Sequence, residues 1–433
     1  MAITSEIIKH IIEIGPVVLL PTILLIISLI VTRKPLKNLK NFIFIFIGLV
    51  SVSILLTLFV NFFNPIINTI ILNSTKEYTT IDAGWLVSRT LILNSPITLQ
   101  IIIAVISLNI IMLILRFTRT INIDLWNYWG FLLAGSIVFA ITGIRWIAIL
   151  ISVIVACITL VLSDIYATYI GSYSGLNGVS TPQPQIICWA PVSHLINAIF
   201  NKIPFIKRAH IFFEEIQYKI GLFSEPLIAG FMLGFIIGAI THYKNFFLNP
   251  GSNLLYAFSS GLTLSFIFIL IPRAVNLLFK GLTPTLNDIR EFMKRKVTKR
   301  DLYIGLDPLI LAGLPSTIVL SAIIIPLTVY ISTILPGSNV LPSAGLIMIP
   351  LILIYIITPS GGDIIRSFIS AIIVIPVILW ITSSTGNLFT EFFLEHDMEM
   401  IEGYKRVTSI GGSSNIFFWI LVKIIEPIFN LSP

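Results

Sequence analysis

The side chains best suited to chemistry in this chain are carboxylates and amides set in stretches interrupted by glycine and proline. Asp307 lies in Ile304-Gly305-Leu306-Asp307-Pro308, and Asp82 in Ile81-Asp82-Ala83-Gly84-Trp85. A carboxylate can accept hydrogen bonds from two sugar hydroxyls, and its burial is costly enough to require such partners. Each aspartate also has a structural reading. Asp307 before Pro308 makes a good helix cap with proline at the first helical position, and Thr79, Thr80 and Asp82 could cap a helix that starts near Ala83. Gln183 and Gln185, in Thr181-Pro182-Gln183-Pro184-Gln185, offer donors and acceptors together, which suits hydroxyl recognition. The alternative is an exposed loop, because Gly, Ser and Pro cluster there. Asp307, Asp82, Gln183, Gln185 and Trp85 are therefore the candidate substrate contacts.

Glu13 and Glu225 each precede a proline that opens an apolar run. They read as carboxylates favoured by a helix dipole, with proton coupling as the other possibility. Arg145 and Arg366 follow glycine turns at Gly143 and Gly362 and are candidates for coupling or for structure. The five histidines are scattered without ligand spacing, and Cys157 and Cys188 lie in or beside apolar sequence. Neither a metal site nor a disulfide framework is expected. No glycine loop with a following lysine occurs, so no ATP site is expected. The reading contains no catalytic residue and no cofactor.

The elements that must hold these residues are set by composition. Of 433 residues, 56% are hydrophobic and 11% charged, and mean hydropathy is +0.99. That is the signature of a lipid-embedded chain. The start of the chain lacks a basic region and a small-residue cleavage site, so a retained first span is expected. Eleven apolar runs are candidate spans: 17–31, 42–60, 97–115, 129–142, 145–162, 226–241, 254–271, 316–335, 345–358, 365–382 and 416–429. The net charge of +7 belongs to loops between these runs rather than to a nucleic-acid surface. One set of alternate loops collects 18 Lys and Arg and the other 7, with Arg366 and Lys423 inside spans. Positive-inside placement then puts the N-terminus outside and the C-terminus in the cytoplasm. The segment 205–223 reads as a basic amphipathic helix seated on the membrane surface, with docking of a soluble partner as the alternative.

Spacing suggests two related halves. Spans beginning at 17, 42, 97, 129 and 145 are echoed by spans beginning at 226, 254, 316, 345 and 365. Because five is odd, the second half enters from the opposite face, as in transporters built from inverted repeats. The expected fold is all-α and integral to the membrane. It has about eleven transmembrane helices in two inverted five-helix repeats, with re-entrant hairpins at 78–96 and 301–315. The corresponding divisions are 1–163, a cytoplasmic linker 164–225, 226–382, and an external loop with an eleventh span at 383–433.

Several strings resemble the galactitol-type IIC permeases of the bacterial phosphotransferase system. They are Arg116-Phe-Thr-Arg119-Thr-Ile-Asn122-Ile-Asp124-Leu-Trp126-Asn127, Phe223-Ser-Glu225-Pro226-Leu-Ile-Ala-Gly230-Phe-Met-Leu-Gly234, Ile304-Gly305-Leu306-Asp307-Pro308 and Pro336-Gly337-Ser-Asn339-Val-Leu341-Pro342. The resemblance implies a homodimer in the plasma membrane that moves a polyol or sugar by displacement of a core domain. It also implies separate soluble IIA and IIB phosphocarriers that phosphorylate the substrate at the cytoplasmic face. Similarity to the ascorbate-type permeases supports a substrate-contact role for Asp307. Two departures stand out: Pro182-Gln183-Pro184-Gln185-Ile186 replaces a Pro-His-Gly-Thr-Ser pattern, and Ala312-Gly313-Leu314 replaces Leu-Gly-His. Neither glutamine nor leucine can take a proton as imidazole can. Three readings follow: a phosphorylating permease, a carrier of the same fold that works without phosphorylation, and a membrane scaffold or sensor that does not transport.

Overall fold

The computed structural model describes residues 15–208, 225–243, 249–296, 300–395, 399–425 and 427–428. The basic segment 205–223 and Glu13 fall largely or wholly outside them.

Proline starts many of the helices. It occupies the first position of Pro16–Thr32, Pro35–Asn61, Pro226–Thr241, Pro250–Lys296 and Pro315–Ile334, where its missing N–H costs nothing. Glycine ends others: Gly143 and Gly175 close Tyr128–Thr142 and Arg145–Ser174 in the left-handed conformation, with φ of 64° and 75°, which a side chain would disfavour. Each of the eleven apolar runs coincides largely with helix, the last of them as far as Ile425.

Among the described residues six helices are long and apolar enough to cross a bilayer: Pro35–Leu72, Leu125–Thr142, Arg145–Ser174, Pro250–Lys296, Pro315–Ile334 and Ile364–Ser384. The pair Val87–Asn94 and Thr98–Ile114, bent by 91°, makes a seventh if it counts as one span. Four shorter apolar helices accompany them: Val17–Thr32, Pro226–Thr241, Ala344–Ser360 and Ile416–Ile425. Exposed Ile43, Ile47, Ile54 and Leu58 on the Pro35–Asn61 helix show the apolar outer surface that a lipid-facing helix requires. Pro250–Lys296 continues 25 residues past the expected end at 271. It contains Pro272 and Pro284 and ends on Lys294, Arg295 and Lys296, basic residues that complement its C-terminal dipole.

Small residues let the longest helices approach. Gly230, Gly234 and Gly238 form a stripe on Pro226–Thr241 facing Pro250–Lys296. A Cβ on them would lie 2.8 Å from Ser265 Cα, 2.5 Å from the Ser260 carbonyl and 2.8 Å from Ala257 Cα, respectively. On its other side Pro250–Lys296 meets Pro35–Asn61, where Gly48 and Gly281 permit equally close contact. Asn41 Nδ2 donates to Thr285 Oγ1 at 3.2 Å across that seam. This is the small-residue packing with interhelical hydrogen bonds by which helices associate in lipid.

Six strands of two or three residues interrupt the helices among the described residues: β1 Thr80–Asp82, β2 Thr120–Asn122, β3 Val179–Ser180, β4 Tyr303–Gly305, β5 Val340–Leu341 and β6 Arg406–Thr408. They pair in parallel as two sheets, ordered β5-β1-β6 and β2-β4-β3. Each central strand comes from one half of the chain and both its neighbours from the other. The sequence reading holds no strand, because three extended residues between helices carry no alternating pattern. Pairing satisfies backbone groups that would otherwise be stranded at a helix break.

Replacing Gly234 by Leu should force this helix pair apart and destabilise the fold by about 1–3 kcal/mol. A fall in unfolding temperature of the purified protein in detergent checks it.

Candidate functional site

The chain beyond each strand end turns directly into a short helix, and these turns surround a cavity of about 400 Å³. Its wall includes Asp307, Gln183, Trp126, Trp129, Ser53, Ser88 and Ser409, with Gly84, Ala344 and Gly345 between them. Among its lining residues Asp307 alone is ionisable. Trp126 and Trp129 are stacked, with ring centroids 5.5 Å apart, and give the cavity a broad apolar face. Apolar surface with a few convergent polar groups is the usual composition of a small-molecule site.

Asp307 combines both of its expected roles. It caps the 3-10 helix Pro308–Leu311, and its Oδ1 accepts the Leu309 N–H at 2.8 Å. Oδ2 receives no hydrogen bond from the described residues, and the side chain borders the cavity. Asp124 supports it from behind: Asp124 Oδ2 accepts the Asp307 N–H at 2.9 Å, and Oδ1 accepts the Trp126 N–H at 3.0 Å. One carboxylate thereby fixes both the candidate ligand and the tryptophan wall. Both aspartates lie in connections between the spanning helices. Burial pushes both carboxyls above their ordinary range, and Asp124's charge raises Asp307 further.

Gln183 lies in the segment expected to be either recognition element or exposed loop; residues 178–190 are buried. The segment is anchored by Tyr355, whose hydroxyl donates to the Thr181 carbonyl at 3.1 Å and also meets Thr181 Oγ1. Gln183 lines the cavity, and its buried Oε1 has no hydrogen-bond partner among the described residues. Gln185 points elsewhere: a Cβ on Gly130 would come within 2.1 Å of its Oε1, so the glutamine packs against the Tyr128–Thr142 helix.

Asp82 does not line the cavity. It is fully buried, and its two oxygens accept four backbone N–H groups: Gly84 and Ile410 at 3.0 Å, Gly345 at 2.7 Å and Ser343 at 3.3 Å. The donors follow three different strands, so Asp82 ties together the turns that form one side of the site. Burial raises its pKa while the four N–H bonds lower it. Trp85 opens the helix after Gly84, and its side chain lies outside the described part of the structure.

The charged candidates lie apart from the cavity. Arg366 is buried beside Asp363, with Nε 3.7 Å from Oδ2, and its Nη1 donates to Asn201 Oδ1 at 2.8 Å. Arg145 is exposed at the first turn of its helix, and Glu225 is exposed just before Pro226 without a side-chain cap. Sequence reasoning missed Asp124, Trp126, Trp129 and Ser409. The Asp124-Leu-Trp126 string carried a capping signal, but its partner Asp307 is 183 positions away. Of the two departures from the family pattern, Gln183 lines the cavity; Leu314 is not among its lining residues and sits just before Pro315–Ile334 without a capping side chain.

Comparison with known proteins places this architecture. Residues 10–403 match the EIIC-GAT family, described as a PTS system sugar-specific permease component. The chain is 29% identical over 423 residues to the PTS galactitol-specific EIIC component of Escherichia coli K12, covering 98% of this chain and 91% of that protein. The counterpart from Escherichia coli O157:H7 matches equally. A K12 protein named as a putative permease IIC component is 29% identical over 417 residues, covering 96% of this chain and 93% of that protein. A multi-pass helical membrane protein with a match running nearly end to end belongs to the EIIC-GAT family of PTS sugar-specific permease components.

Proposed function

We propose that this chain is the IIC component that translocates a galactitol-like polyol across the plasma membrane, with IIA and IIB phosphocarriers supplied as separate proteins. The observation that carries this reading is the cavity wall, which brings together one carboxyl group, Asp307, an amide whose oxygen has no partner among the described residues, Gln183, and paired tryptophans. Such a wall matches a neutral molecule with hydroxyls along an apolar backbone. Asp307 and Gln183 are the direct contacts, Asp82 and Gln185 shape the site from behind or beside it, and Trp85 stays a candidate contact on sequence grounds. Arg366, held by Asp363 and Asn201, takes a structural role.

Two inverted repeats and eleven spans belong to the same proposal. Exchanging β1 with β4, β2 with β5 and β3 with β6 converts one strand order into the other, which supports the repeat. The short helices that follow β3 and β6 correspond as well: Pro184–Ile187 and Trp189–Phe200 answer Ile410–Ser413 and Ile416–Ile425. Each unit therefore extends past 163 and 382 into the segments first read as linker and tail. The excess of Lys and Arg on one side supports an outside N-terminus and a cytoplasmic C-terminus. A homodimer follows from the family likeness.

A second reading, a carrier that works without phosphorylation, is favoured by glutamine at position 183, where imidazole would take the hydroxyl proton. Proteoliposomes containing only this protein separate the two. Labelled galactitol should accumulate only when donor proteins are present, and as its phosphate ester. Free galactitol taken up without donors would establish the carrier instead.

Asp307→Asn keeps a capping side chain but puts an amide NH2 where a carboxyl oxygen faced the cavity, an exchange of acceptor for donor that costs about 1–3 kcal/mol. Uptake should fall by about tenfold or more while folded yield is retained; equal loss of both would assign the residue to capping alone. Asp124→Asn preserves an acceptor for the Asp307 N–H but deletes the charge that raises Asp307. The limb of the uptake-against-pH profile set by Asp307 should then move to lower pH.

A further inference from the structure

A second cavity, of about 500 Å³, lies against the central one, and Ala344 and Ile347 line both. The wall between them is the 3-10 helix Ala344–Met348 with Ser343 before it. Asp82 holds this partition through the N–H groups of Ser343 and Gly345. A Cβ at Gly345 would lie 2.4 Å from Asp82 Oδ2, so the tether leaves no room for a side chain.

The polar part of the second cavity consists of Thr57, Asn61, Asn64, Asn68, Ser343 and Tyr404, and none of its lining residues is Asp, Glu, Lys, Arg or His. Asn64 and Asn68 are four positions apart on one face of the Asn64–Leu72 helix, and Asn61 ends the Pro35–Asn61 helix just before it. They are exposed, and their amides make no hydrogen bond to the described residues. Each amide offers two donors and an acceptor with two lone pairs. An uncharged wall of amides and hydroxyls has nothing to balance a phosphate, so it selects a neutral polyhydroxylated molecule over a sugar phosphate or a phospholipid headgroup. The 27 residues of Pro35–Asn61 span about 40 Å, more than the roughly 30 Å hydrocarbon core. Asn61 therefore lies on the face opposite Lys34, Lys37 and Lys40, the outer face by the positive-inside rule.

We infer that this cavity is an outer docking site for an uncharged polyol, filled before the Asp82-tethered partition yields and admits the molecule to the central cavity. The inference rests on the reading of the chain as a polyol permease and adds to it a second, separately occupied site.

The test uses the full chain in detergent, with Cys157→Ser and Asn64→Cys; Cys188 is buried. The rate of maleimide alkylation at position 64 is measured with and without galactitol, first with Asp307 intact and then with Asp307→Asn. At ten times its dissociation constant, galactitol should slow alkylation about tenfold in both backgrounds. Adding Asn61→Leu and Asn68→Leu should abolish the protection. Protection that disappears with Asp307→Asn comes from the central site and overturns the inference. No protection, in a protein whose wild type takes up galactitol in vesicles, overturns the docking site but leaves the permease reading intact. Protection without wild-type uptake keeps the docking site and removes the proposed function; absence of both removes both.

Discussion

The structure depends on satisfying backbone groups where membrane helices break. An unpaired N–H or carbonyl away from water costs several kcal/mol, so an interrupted helix persists only where its loose ends find partners in the protein. Here the partners are two parallel three-stranded sheets, each joining strands from both halves of the chain. Asp82 and Asp124 extend the same solution beyond the strand ends, taking N–H groups from turns that the ladders do not reach. Neither half can complete its own sheet. The two must therefore fold against each other.

That requirement also creates the site. Each strand leads into a helix start, and the exchange of strands brings these starts to one region, where they leave a cavity rather than a packed core. Its walls come from residues as distant in sequence as Ser53, Gln183 and Ser409. The chemistry available is sparse: hydroxyls, one amide, two indoles and one carboxylate. Among the residues of this wall Asp307 is the one ionisable side chain.

The two aspartates singled out by sequence illustrate how tertiary context divides similar residues. Both follow or end a short strand, and both sit in glycine-bearing turns. Asp82 receives four N–H groups and is saturated, so it acts as a structural tie. Asp307 receives one N–H at Oδ1, and its other oxygen is left to the cavity. The paired glutamines divide in the same way, with Gln183 on the cavity wall and Gln185 pressed against Gly130.

Sequence by itself determined that the chain lives in lipid, where its apolar helices run and where prolines and glycines begin and end them. These properties are local, fixed by hydropathy summed over about 20 residues and by the backbone geometry of single positions. The strands were not legible, because two or three extended residues have no periodicity and their partners lie up to some 330 positions away. Which carboxylate is saturated and which is open was decided only by the tertiary structure, since a hydrogen bond from a distant backbone N–H leaves no trace in the sequence around its acceptor. The cavity itself is of this kind: it is the space between helix starts that only the exchanged strands bring together.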